Sequence, residues 1–81
     1  MIIYDEMIAK MRENGITSYT IKGNAEKESY MSQGSYTRMK NNKGYIGLEL
    51  IEKLLNSMKI NRVELIRDGD NFRFSFPDDK E

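Results

Sequence analysis

The side chains best equipped to meet a polar partner are gathered in one stretch of the chain. Ser32, Gln33, Ser35, Thr37, Arg38 and Lys40 follow one another closely, with Asn41 and Lys43 just behind. Amide, hydroxyl, guanidinium and ammonium groups at this density can donate and accept hydrogen bonds and meet anions. They are poorly suited to making or breaking covalent bonds. The chain has neither histidine nor cysteine, which removes the commonest general base, the thiolate nucleophile and the commonest transition-metal ligands. No glycine-rich phosphate loop or carboxylate pair in an apolar setting stands in for them. Asp68-Gly69-Asp70-Asn71 lacks the twelve-residue spacing and terminal glutamate of a calcium loop and reads as a turn. The expectation is a binding protein, not an enzyme, with no metal and no cofactor.

Charge sharpens this. Thirteen basic and thirteen acidic residues leave the 81-residue chain neutral, which argues against a protein that holds polyanions by overall charge. The distribution is uneven, however. No acid occurs from Ser29 to Leu48, where Arg38, Lys40 and Lys43 give a local +3, whereas the chain from Tyr45 onward carries −2. A neutral protein can meet DNA through such a segment, although an ordinary solvated surface has the same composition. The start, Met1-Ile2-Ile3-Tyr4-Asp5-Glu6, lacks the basic head and apolar run of a signal peptide. No apolar stretch approaches the roughly 18 residues of a membrane span. A cytoplasmic protein with no membrane partner is expected.

The elements that must position the polar stretch are legible from periodicity. Ile3, Tyr4, Met7, Ile8 and Met11 share one helical face, and Asn14-Gly15 ends that helix. Thr17 reads as the N-cap of a second helix, with Ile16 as a staple residue and Tyr19 and Ile21 inward. That helix either ends at Gly23-Asn24 or continues through Ala25-Glu26-Lys27-Glu28. Ser32 caps a third helix anchored by Tyr36 and Met39 and closed by Asn41-Asn42-Lys43-Gly44. Leu48, Ile51, Leu54, Leu55 and Met58 mark a fourth. Beyond Lys59 the period falls to two: Val63 and Leu65, then Phe72, Phe74 and Phe76, flank the Asp-Gly turn as a β-hairpin. The competing reading makes Asn61 the cap of a short fifth helix, with Glu64 completing a capping box.

Gly15-Ile16-Thr17-Ser18-Tyr19-Thr20-Ile21 and Met31-Ser32-Gln33-Gly34-Ser35-Tyr36-Thr37-Arg38-Met39-Lys40-Asn41 together resemble the phage-repressor and Cro-like helix-turn-helix family. In that family a G-I-T-x-x-x-L opening precedes an I-S-Q-x-T-I-S-R-I-K-N recognition helix. The resemblance spans roughly residues 3 to 60. It implies a mainly α fold, a small four-helix domain like lambda repressor over residues 1–60, with a hairpin at 61–77 and an acidic tail at 78–81. The implied function is a repressor-like transcriptional regulator of phage or mobile-element type, binding double-stranded DNA by placing its third helix in the major groove. Gln33, Ser35, Thr37 and Arg38 would then read bases, glutamine pairing with adenine and arginine with guanine. Thr17, Ser18, Lys40, Asn41 and Lys43 would contact phosphates. The chain departs from the family between Ile21 and Ser32, where it is about four residues longer, close to one helical turn, and lacks the usual glycine.

Two further expectations concern protein partners. The hairpin phenylalanines Phe72, Phe74 and Phe76 either pack on the fourth helix or form a homodimer contact, as C-terminal strands do in Cro-like proteins; of the two, the homodimer is expected. The alternative function is the same small fold reused as a protein-binding module, an antitoxin or a phage-encoded inhibitor of a host protein.

Overall fold

The computed structural model describes residues 1–21 and 30–77. Its elements run β1 (Ile2–Ile3), α1 (Asp5–Glu13), α2 (Gln33–Lys40), α3 (Leu48–Met58), β2 (Glu64–Asp68) and β3 (Asn71–Ser75). The strands form one mixed sheet in the order β1-β3-β2. This corrects the expected fold class. Among the described residues there are three helices and a three-stranded sheet, in place of four helices with an attached hairpin.

The sheet explains the difference. The antiparallel pairing of β2 with β3 is present, with Leu65 opposite Phe74 and Arg67 opposite Phe72. Gly69 takes φ +66° in the two-residue turn between them, a backbone that glycine adopts without strain. β3 is nevertheless the central strand. Its other edge takes Ile2 and Ile3 in parallel, opposite Phe72 and Arg73. The Phe72 N–H donates to the Met1 carbonyl at 3.0 Å. Ile3 therefore belongs to a strand, and α1 starts at Asp5 instead of including Ile3 and Tyr4. Helical periodicity could not reveal a partner about seventy residues away; two β-branched residues suit either role locally and suit the strand better.

Tyr4 links strand to helix. It is buried, its hydroxyl accepts the Ile46 N–H at 3.0 Å, and its ring meets Phe74 at 5.7 Å between centroids. Met7, Ile8 and Met11 bury the inner face of α1, while Asp5 and Glu6 in its first turn and Lys10 and Arg12 in its last complement the helix dipole. The core also takes Ile16, Ile21, Met31, Tyr36, Met39, Ile51, Leu54 and Met58. Five of the six methionines are thus inside, flexible thioethers filling a small, irregular interior.

All three helices end in the same hydrogen-bond pattern. The Ile16 N–H reaches the Met11 carbonyl, Lys43 reaches Arg38, and Ile60 reaches Leu55; the residues before them, Gly15, Asn42 and Lys59, all have positive φ. This is the Schellman closure; helix ends were expected at Asn14-Gly15 and within Asn41–Gly44. Asn42 does more than end α2. Its Oδ1 accepts the Tyr4 N–H at 2.6 Å and its Nδ2 donates to Asp5 Oδ1 at 3.2 Å. The end of α2 is thereby fastened to the start of α1.

Two side chains expected inside are outside. Tyr19 is 92% exposed. The turn it occupies closes with the Ile21 N–H on the Thr17 carbonyl, and the Ile21 carbonyl then accepts the Tyr30 N–H at 2.7 Å. Only Ile21 is carried inward. Thr17 does cap this turn, its Oγ1 accepting the Tyr19 N–H while Thr20 Oγ1 accepts the Thr17 N–H, a reciprocal arrangement like a capping box. The expected continuation of this second helix through Ala25–Glu28 lies outside the described residues, as does the tail at 78–81. Leu48 is 84% exposed because it is the first residue of α3, beyond the reach of the core that holds Ile51 and Leu54.

Candidate nucleic-acid interface

α2 is built to be seen from one side. Tyr36 and Met39 are buried, and at 100° per residue they turn Gln33, Gly34, Thr37 and Arg38 toward solvent, with Ser35 and Lys40 on the flanks. Ser32 fixes where the helix starts: its Oγ accepts the Ser35 N–H at 3.1 Å, and its backbone is extended while Gln33 is already helical. The first turn contains no acid and the last contains Arg38 and Lys40. The outward face is about 12 Å long at 1.5 Å per residue.

The supposed base-reading residues are not equally free. Gln33 is exposed, yet its Nε2 donates to the Ser18 carbonyl at 2.8 Å. That bond ties the turn at Thr17–Ile21 to the start of α2, so Gln33 serves as a clamp in this conformation. Ser35 is half-buried and engaged with Ser32 Oγ at 3.1 Å and with Arg38 Nη2 at 3.3 Å. Thr37 and Arg38 remain on the open surface. Arg38 lies one turn beyond Gly34, and a Cβ built on Gly34 would meet only Arg38 Nη1 and Ser32 Oγ, each at 3.9 Å. The middle of the face is therefore a shallow gap beside a guanidinium.

The supposed phosphate-binding residues fall at two ends. Thr17 and Ser18 are half-buried beside the start of α2, joined to it by the Gln33 bond. Lys40, Asn41 and Lys43 are exposed at its far end, with Lys40 Nζ lying 6.0 Å from the centre of the Tyr36 ring. Two exposed tyrosines flank the helix in the same way. Tyr19 lies in the turn before it and Tyr45, 73% exposed, in the loop after it. Neither was singled out from sequence as a contact.

Of the phenylalanines expected at a dimer contact, Phe74 is 8% exposed and belongs to the core, where its ring meets Tyr4, whereas Phe72 and Phe76 are half-buried. Lys10 Nζ stands 5.9 Å from the Phe76 ring centre and the Arg67 guanidinium 4.6 Å from that of Phe72. Among the described residues no cluster of carboxylates could hold a metal ion, and no helix is long and apolar enough to cross a membrane.

No family model matches this chain, and no curated protein or solved structure matches it either.

Proposed function

We propose that the chain is a sequence-specific double-stranded DNA-binding regulator that reads the major groove with α2. The observation that supports this reading is the composition of one surface: an acid-free helix face, anchored from below by Tyr36 and Met39 and capped by Ser32, that presents Thr37 and Arg38 with Lys40 and Lys43 behind them. A helix with its polar side outward fits a major groove about 12 Å wide. Arg38 is the principal base reader in this reading and Thr37 its neighbour; Lys40, Asn41 and Lys43 approach phosphates, which orient the protein without reading sequence. Gln33 reads a base only by releasing Ser18, and otherwise holds the turn in place.

Selection from a random duplex library tests the reading directly. An enriched motif, bound less tightly as salt rises and lost with Arg38→Ala, is the expected result. No enriched sequence, together with co-purification of a larger protein at moderate salt, would instead favour the protein-binding module.

A further inference from the structure

Apart from α2, the molecule has a second open surface, an apolar groove of about 540 Å³ beside α3. The sequence builds both of its walls. Leu48, Ile51 and Leu55, at i, i+3 and i+7, form one stripe along α3. At the end of that helix Lys59 takes φ +59°, and the Ile60 N–H returns to the Leu55 carbonyl at 3.0 Å. This closure carries Ile60 back beside Leu55, and Ile60 and Val63 make the second wall. Of these five side chains only Ile51 is buried.

The border of the groove is acidic. Glu49 and Glu52 line it together with Asn56, on the flank of α3 next to Leu48 and Leu55. Both carboxylates are exposed, and neither forms an ion pair among the described residues. Lys53, Lys59 and Arg62 are near in sequence, yet none of them lines the groove, and Arg62 is held by Glu64 at 3.0 Å. We propose that this groove receives an amphipathic helix of another protein. That helix places aliphatic side chains against Leu48, Leu55 and Val63, and lysine or arginine against Glu49 and Glu52.

The chemistry selects this occupant over others. An extended peptide laid along apolar side chains leaves backbone donors and acceptors without partners, whereas a helix satisfies its own. Leu48, Ile51 and Leu55 make a ridge of the kind that packs beside a second helix, with about 8–10 Å between axes. A second copy docked groove to groove across a two-fold axis would bring its own Glu49 and Glu52 to the same acidic border, like charge against like. The chain's tail, Asp78-Asp79-Lys80-Glu81, is acidic, and nucleic acid carries the same sign. Burial of the apolar walls supplies the association energy, and the carboxylates decide which partners are admitted. None of this depends on what α2 binds.

Selection against the full chain, without DNA, from a display library of random peptides roughly four helical turns long tests the proposal. Enriched peptides should carry aliphatic residues at i, i+3 or i+4, and i+7 beside lysine or arginine, and a synthetic copy should gain helical circular dichroism on binding. Leu48→Asp, at an exposed position, should unfold at the wild-type temperature and bind that peptide about tenfold more weakly or worse. Glu49→Lys with Glu52→Lys should weaken it similarly, and should bind instead a version of the peptide whose lysines and arginines are exchanged for glutamate. Arg38→Ala should bind the original peptide as the wild type does, which separates this result from the DNA-binding reading. No enriched peptide, enriched sequences that are acidic or lack helical spacing, or an affinity unchanged in either groove variant would overturn the proposal. So would a wild-type dimer in sedimentation equilibrium that Leu48→Asp dissociates, since that would give the groove to a second copy.

Discussion

The outward face of α2 and the β2 edge of the sheet are both uncovered among the described residues, yet they are made differently. The α2 face is polar side chain on a backbone whose hydrogen bonds are satisfied internally; its capacity to bind lies in Thr37, Arg38 and Lys40. The β2 edge is the reverse. Its open side offers main-chain donors and acceptors beside Leu65, which is 54% exposed, and the charged Glu64, Arg67 and Asp68. A helix face of the first kind suits a ligand that carries its own pattern of donors and acceptors, such as a base-pair edge. A strand edge of the second kind suits another strand. The difference gives recognition a test of its own, since it is expected to change with side chains on α2 and not with residues on β2.

The largest expected effect breaks both regions together. Phe74 lies on the central strand and touches Tyr4, which joins the sheet to α1 and, through Asn42, to the end of α2. Phe74→Ala should destabilise the protein by about 3–5 kcal/mol, the usual cost of emptying a buried phenylalanine site, measured by urea denaturation. The loss should be the same at every protein concentration. A loss that shrinks as the protein is concentrated would instead give Phe74 a role between chains.

The second effect touches only recognition. Arg38→Ala should cost about 1–3 kcal/mol of specific DNA affinity and leave the unfolding midpoint nearly unchanged, because Arg38 is exposed and its hydrogen bond to Ser35 is long at 3.3 Å. Titration of a selected duplex with wild type and variant measures it. Equal affinities would remove Arg38 from the interface.

How much of this was legible depends on the range of the interaction concerned. The α2 face was readable because its determinants are local: Ser32 caps, Tyr36 and Met39 recur at helical spacing, and the polar residues occupy what remains. The hairpin was readable for the same reason, from alternation around Asp68-Gly69. β1 was not, since Ile2 and Ile3 continue the helical pattern of Met7 and Ile8 and become a strand only when β3 is alongside. Gln33 marks a similar limit. Its residue type and position fitted a base reader, and only the folded chain brings Ser18 to 2.8 Å from its amide nitrogen. Tyr19 was misplaced because a helix was expected to continue where the described residues contain one capped turn.

A third effect tests whether the two regions are mechanically joined. Asn42 holds a left-handed backbone at φ +57° and bonds the Tyr4 N–H and Asp5. Asn42→Ala loses the side-chain bonds and places a less tolerant residue in that backbone, for an expected destabilisation of about 1–3 kcal/mol. Asn42→Gly loses the same bonds but relieves the backbone, so it should be milder by about 1 kcal/mol. Thermal unfolding of the pair separates cap from clamp. Equal losses in the two variants would assign the whole effect to the bonds with Tyr4 and Asp5.

The smallest effect bears most closely on what α2 is for. Gly34 sits in the first turn of the helix, where a methyl group would make only ordinary contacts with Arg38 and Ser32, and a glycine inside a helix costs roughly 0.5–1 kcal/mol relative to alanine. Its φ is not positive, so no backbone requirement of its own fold keeps it there. Gly34→Ala should therefore raise stability by about that amount. If a ligand must approach the backbone of α2 closely at this gap, the same methyl group that stabilises the free protein should weaken binding. Thermal unfolding and duplex titration of this single variant should then move in opposite directions. If both rise together, the gap is vacant surface, and recognition rests on Thr37 and Arg38 without close contact to the helix backbone.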